Sequence, residues 1–253
     1  MRDMINCVIL AGSEDDQPGY LRNKAFIKLI GRPMINYVID ALKASNCIEN
    51  IAVVGDKNQL LSLATDVDMI IDNNGSMLDN IKVGVNHFAE DSMILISTCD
   101  IPLLTGEAVE DFVKRALETK ADICYPIINR KTCELAYPES VRTYASLRED
   151  QFTGGNLFML NPAILDKSIY IAEQMISYRK SPAKMSKVLG IPFLIKLATG
   201  KLTIGDIESR ASRLLNIRAK AIISDYADIG NDIDKPEHVQ VIEKYMKKNT
   251  GCI

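Results

Sequence analysis

The chain has 253 residues, 47% hydrophobic, 25% charged and 6% aromatic, with 30 basic against 33 acidic side chains and a net charge of −3. At this length about 70–75% of the unfolded surface can be buried, so a core needs neither disulfides nor a structural metal. The balance lacks the basic surplus of a nucleic-acid-binding protein, and the apolar runs are strand-length, far short of the ~18–20 residues of a membrane span.

In chain order, Met4 to Ala11 is an apolar run ending at Gly12 and predicts a buried parallel strand opening into a loop. The run begins too early, and is too short, for a signal peptide. Met34, Ile35, Val38, Ile39 and Leu42 repeat at helical spacing after Pro33, which suits a first helical position. Ile51–Val54 and Asp68–Ile71 predict further strands, and Met77, Ile81, Val85 and Phe88 a helix. Met93–Ile96 predicts a strand that runs into Cys99-Asp100-Ile101-Pro102. An amphipathic helix through Val109, Phe112, Val113, Ala116 and Leu117 follows, N-capped by Thr105.

Ile123–Ile128 predicts a strand, Thr143–Leu147 and Asn156–Leu160 two more flanking the pair Gly154-Gly155, and residues 162–215 mostly helix. Ala219–Ser224 is a late strand, and a last helix starts near Pro236. His87 and His238 fall on helices, in packing or solvated roles. The strand–helix alternation implies βαβ units and a mainly parallel twisted sheet flanked by helices, an α/β fold. No repeat or linker divides the chain, so residues 1–253 are expected to form one domain. Its six cysteines lack CxxC spacing and several lie within apolar strands, as reduced thiols do, which points to a cytoplasmic protein.

Ligands of open parallel sheets bind beyond the carboxyl ends of the strands. Three features fall there. Leu10-Ala11-Gly12-Ser13 offers backbone N–H groups for a phosphate, and Lys24 adds a positive charge at the end of the loop. Asp100 stands at the end of a strand as a candidate Mg²⁺ ligand or a turn carboxylate. Asp234, with Asp232 as the alternative, precedes a helix start, where an acid is favoured by the helix dipole in any case. The chain has neither G-x-G-x-x-G nor a Walker A loop.

These residues resemble a family. Leu10-Ala11-Gly12-Ser13 followed by Lys24 within KAFIKLIGRPMI, then Cys99-Asp100-Ile101-Pro102-Leu103-Leu104, then Asp232-Ile233-Asp234-Lys235-Pro236-Glu237, look in that order like the signatures of the MobA-like nucleotidyltransferases. The resemblance implies a GT-A-like nucleotidyltransferase fold with a Rossmann-like first half. It implies transfer of NMP from a nucleoside triphosphate to a phosphorylated small-molecule acceptor, with Mg²⁺ and release of pyrophosphate. It assigns Leu10, Ala11, Gly12, Ser13 and Lys24 to the nucleotide, Lys24 and Asp100 to catalysis, and Asp100 and Asp234 to the metal. Residues 1–130 would then be the nucleotide-binding half, and 131–253 the acceptor-binding half with a helical elaboration and a C-terminal helix.

The loop departs from the family pattern. It carries Ser13 for the second glycine, then Glu14, Asp15 and Asp16, with Arg22 as the nearest candidate for the family's arginine.

Phe152-Thr153-Gly154-Gly155-Asn156 reads either as an anion nest or as a tight hairpin turn. Arg179-Lys180 precede Ser181, a candidate N-cap, and Pro182, so that they flank a helix N-terminus. FTGGN and RK-x-P resemble a branch of the same superfamily. Read as anion-binding groups, Arg142, Thr153, Gly154, Gly155, Asn156, Arg179 and Lys180 are expected to bind the acceptor. Two other readings keep the same architecture: a GT-A-type glycosyltransferase that consumes a nucleotide-sugar, and a non-catalytic protein that binds a nucleotide or sugar phosphate.

Overall fold

The computed structural model of the chain describes residues 4–12, 21, 23–73, 75–88, 93–178 and 181–249. The first apolar run is strand β1 (Ile5–Leu10). After a 3-10 turn at Lys24–Phe26 comes a small antiparallel hairpin of β2 (Lys28–Leu29) and β3 (Arg32–Pro33). Its two turn residues, Ile30 and Gly31, both take positive φ, 49° and 84°, as two-residue hairpin turns demand. Pro33 closes that hairpin and is the N-cap of α1 (Met34–Ala44), one position earlier than the first helical position the sequence suggested.

The next elements are β4 (Ile48–Gly55), the short α2 (Lys57–Leu60), β5 (Met69–Asp72) and α3 (Met77–Val85). Helix α3 is opened by a capping box between Ser76 and Asp79. His87 and Phe88 lie past its end rather than on it. Then come β6 (Ile94–Thr98), α4 (Gly106–Thr119), β7 (Ile123–Asn129) and α5 (Arg130–Ala136), a short helix the periodicity did not reveal. Thr105 caps α4 as expected, accepting from Ala108 N.

The second half runs β8 (Ala145–Ser146), β9 (Gln151–Gly154), β10 (Leu157–Leu160), α6 (Leu165–Tyr178), α7 (Pro182–Leu189), α8 (Ile191–Ala198), α9 (Ile204–Leu215), β11 (Ala219–Ser224) and α10 (Pro236–Asn249). Of the predicted strand Thr143–Leu147 only Ala145–Ser146 pairs. Ser181 caps α7, accepting from Lys184 N.

One nine-stranded sheet takes the order β5-β4-β1-β6-β10-β7-β9-β8, with β11 on the other edge of β7. Strands β1, β4, β5 and β6 are mutually parallel, as are β7 and β11. Because β10 is antiparallel to both β6 and β7, those two point the same way. The result is a mixed, mostly parallel sheet.

The pair Gly154-Gly155 does not turn a hairpin. Strand β9 lies against Ile127–Asn129 and β10 against Ile123–Cys124, both antiparallel to β7. The glycines therefore bend one continuing line of chain instead of reversing it.

Side-chain alternation distributes the core over two faces. Cys7 and Ile9 of β1 join α1 and α4 through Ile35, Ile39 and the fully buried Phe112. Val8 joins α3 on the opposite face through Ile81 and Val85. Among the described residues no helix is long and apolar enough to cross a membrane. The carboxyl ends of β1 and β6 open on the same side, where Gly12 and Asp100 follow them.

Candidate active site

The ends of β1 and β4 are drawn together by close backbone contacts. Ala11 N donates to Val54 O at 2.8 Å, and a Cβ on Gly55 would stand 2.8 Å from Ala11 O. Gly12 approaches α3 just as tightly, since a Cβ there would lie 3.1 Å from Asn80 Nδ2. A glycine at this point lets the strand end pass beside a side chain without a clash.

Two backbone hydrogen bonds then stitch the three motifs. Leu21 N donates to Asp234 O, and Ile233 N donates to Asp100 O, each at 2.9 Å. They bring Asp100, Asp232 and Asp234 into a cluster in which one carboxylate oxygen from each lies within 4.8 Å of the others.

Every member of the cluster is held. Thr98 Oγ1 donates to Asp100 Oδ1 at 2.6 Å. Lys24 Nζ donates to Asp100 Oδ2 at 2.8 Å and also to Asp234 Oδ1, bridging the two. Arg142 Nη2 donates to Asp232 Oδ1 at 2.9 Å. His238 Nδ1 accepts the N–H of Asp234, so this histidine holds the loop that carries the cluster.

Charge follows this wiring. Burial works against the Lys24 ammonium, but the Asp100 and Asp234 carboxylates outweigh it and hold its pKa well above the ordinary lysine range. Burial first, and the Asp100 charge second, push Asp232 up, with Arg142 pulling the other way. Burial would raise Asp234 too, yet the hydrogen bond and charge of Lys24 bring it below the usual carboxylate value. Cys99 is forced far above its usual range by burial and is an inert thiol.

A cleft of about 170 Å³ lies against the cluster, lined by Leu10, Gly12, Lys24, Met77, Asn80 and Asp100 among others. The sequence pointed to Leu10, Gly12, Lys24 and Asp100. It did not point to Met77 or Asn80, although a signal was present: Asn80, only 5% exposed, is a polar residue on the buried stripe Met77–Ile81–Gly84 of α3.

The acceptor residues fare differently. The amides that an anion nest would need are already bonded inside the fold, Gly155 N to Pro126 O and Asn156 N to Ile229 O, both at 2.9 Å. Thr153 and Gly154 pair with Ile128 and Ile127 of β7. The glycines answer to packing: a Cβ on Gly154 would collide with Tyr125 Oη, and one on Gly155 would come within 2.6 Å of Ile229 Cγ2. Asn156 O accepts from Thr98 N at 3.1 Å, so this segment braces the loop carrying Asp100. Arg142 is turned to Asp232. Ser13, the acidic loop Glu14–Asp16, Arg22, Arg179 and Lys180 lie outside the described residues.

Comparison with known proteins adds three findings. The family model of the MobA-like NTP transferase domain matches residues 7–170. A structure described as a hypothetical transferase from Thermus thermophilus is 32% identical, with a TM-score of 0.83 over 93% of this chain and 99% of its own. A structure of CMP:2-keto-3-deoxy-manno-octonic acid synthetase complexed with CTP is 14% identical, with a TM-score of 0.61 over 98% of this chain and 99% of that one, a likeness of fold. A search of curated proteins returned no match.

Proposed function

Because the chain belongs to the MobA-like NTP transferase family and is a nucleotidyltransferase-type enzyme, we propose that it transfers an NMP group from a nucleoside triphosphate to a phosphorylated small-molecule acceptor and releases pyrophosphate. The observation that carries this reading is the convergence of Lys24, Asp100 and Asp234, of which Lys24 and Asp100 line the cleft. The three come from segments far apart in the chain. Residues 1–130 are assigned to the nucleotide and 131–253 to the acceptor, within one catalytic unit. In support, one sheet takes strands from both halves, and the carboxylate cluster does too.

The cluster fits a divalent cation of the Mg²⁺ type. Its donors are hard carboxylate oxygens, and a cationic group, the Lys24 ammonium, already stands between two of them. Asp100 and Asp234 would hold the ion, with Asp232 as a third ligand. When bound, the ion supplies charge neutralisation at the reacting phosphate and the departing pyrophosphate.

The chain's own residues do the positioning. Thr98 fixes the rotamer of Asp100, and Arg142 fixes that of Asp232. Lys24 offers its ammonium to the triphosphate, and Leu10, Ala11 and Gly12 lay the end of β1 along the nucleotide, with Ser13 assigned to it from the sequence. Asn80 presents its amide group from α3 at the cleft wall. The acceptor side is assigned to the neighbourhood of Arg142 and the Thr153–Asn156 segment, with Arg179 and Lys180; Arg142 serves it while holding Asp232, and the segment by bracing the Asp100 loop, its Gly155 and Asn156 amides being bonded within the fold. In support, Arg142 touches the cluster and Asn156 touches the Asp100 loop.

An oxygen of the acceptor's phosphate attacks the α-phosphorus, an O–P bond forms, and the bond from the α-phosphorus to the bridging oxygen breaks. Pyrophosphate leaves with the electron pair, and no protein nucleophile is needed.

Incubation with ATP, GTP, CTP or UTP, Mg²⁺ and a pool of sugar phosphates should release pyrophosphate with at least one nucleotide. The same nucleotide should raise the melting temperature, since saturation at 100 times Kd stabilises by about 2.7 kcal/mol. Absence of both responses with all four nucleotides overturns the reading.

A pH experiment probes the cluster separately. Protons compete with a divalent cation for Asp232, whose pKa lies above the usual 3.8. Mn²⁺ affinity should therefore begin to fall, on acidification, at a pH above that ordinary value. Arg142→Met removes a cation that lowers this pKa, so the fall should start at still higher pH. An unmoved profile in the variant would separate Arg142 from the cluster's chemistry.

A further inference from the structure

We propose that Lys24 is an exchangeable counter-ion, which occupies the cation position of the carboxylate cluster in the free protein and leaves it for the triphosphate, so that metal and nucleotide binding depend on each other. The proposal rests on the nucleotidyltransferase reading and goes beyond it, because it assigns one side chain two successive partners.

The two cations at the cluster are placed differently. Arg142 binds a single carboxylate, Asp232, and its side chain is 12% exposed. Lys24 bridges the other two and is 25% exposed at the cleft that Gly12 and Asn80 also line. Arg142 is a fixed counter-ion. Lys24 stands at a seam, with carboxylates on one side and the cleft on the other.

Three carboxylates with these two cations carry a net charge of −1, and with Lys24 withdrawn they carry −2, the complement of a divalent ion. A divalent cation and an ammonium cannot both sit between Asp100 and Asp234, because like charges a few ångströms apart repel strongly at low effective dielectric. Metal entering alone must therefore break both ion pairs of Lys24 and leave its ammonium without a carboxylate partner among the described residues. Triphosphate in the cleft supplies one. Each ligand thus relieves a cost imposed on the other, and the coupling is reciprocal by linkage.

Titrating Mn²⁺ alone, with free Mn²⁺ followed by electron paramagnetic resonance, reads this directly without turnover. Lys24→Met should bind Mn²⁺ about tenfold more tightly than the wild type, and Lys24→Arg, which retains a competing cation, should stay within about threefold of it. In the wild type, a non-hydrolysable analogue of the nucleotide active in the pyrophosphate assay should tighten Mn²⁺ about tenfold, a measurement that stands even if Lys24→Met fails to fold. Equal Mn²⁺ affinity in wild type and Lys24→Met, or no effect of the analogue on the wild type, overturns the exchange and leaves the transferase reading intact. Failure of every protein to bind Mn²⁺, with or without nucleotide, removes the metal site itself and the exchange with it.

Discussion

Asp100→Asn should lower pyrophosphate release by about 10²–10³-fold, the scale of losing one preorganised charge-stabilising group. Far-ultraviolet circular dichroism should be unchanged. Asp100 is the hub of the cluster: it accepts from Thr98 and Lys24 through its side chain and from Ile233 through its backbone. The amide of asparagine keeps the shape and removes the charge, so Lys24 is left with Asp234 alone. Raising Mg²⁺ should recover part of the rate if the loss is in cation binding, and none of it if the loss is in the chemical step. Wild-type turnover in the variant, at any Mg²⁺ concentration, would remove Asp100 from the reaction.

Gly84→Ala should be the most disruptive single-methyl change in the sheet–helix packing, with a loss of about 1–3 kcal/mol. A Cβ at Gly84 would stand 2.5 Å from Val8 Cγ1 and 3.0 Å from Val54 Cγ2, on the central strands β1 and β4. Both valines are fully buried and β-branched, so neither can swing aside. Alanine's better helix propensity, ~1 kcal/mol over glycine, offsets only part of that strain.

For a chain of this size such a loss corresponds to a fall in Tm of roughly 3–10 °C. Function should suffer as well, because α3 lifted off the sheet carries Met77 and Asn80 away from the cleft. Calorimetry together with nucleotide titration checks both halves; a Tm within a degree of wild type would mean that the helix shifts freely.

Much of this was legible in the sequence because parallel strands declare themselves. The apolar runs ending at Gly12, Gly55 and Asp100 marked strand ends, and the sheet rule put the chemistry beyond them. Lys24 bridges Asp100 and Asp234 there. What escaped depended on partners distant in sequence. The amides of Gly155 and Asn156 looked available for an anion, but Pro126 O and Ile229 O had claimed them.

Arg142 carried no local sign of its partner, because Asp232 lies 90 positions along the chain. The β2–β3 hairpin and α5 escaped because elements of two to seven residues are too short to show a period. Asn80 was hidden by context: one amide on an apolar helix face reads as a flaw in the stripe until the cleft beside it is seen.

The two backbone hydrogen bonds that join Leu21 to Asp234 and Ile233 to Asp100 also set a schedule. Lys24 and Asp234 are 210 positions apart, and chains are synthesised at about 5–20 residues per second. The strands β1, β4, β5 and β6 can align while the C-terminal segment is still being made, yet the carboxylate cluster has no second or third member until residues 232–234 arrive. The cluster is thus assembled only after all the strands of the sheet have been made. A chain interrupted just before residue 232 would still contain every strand of the sheet and only one of the three carboxylates.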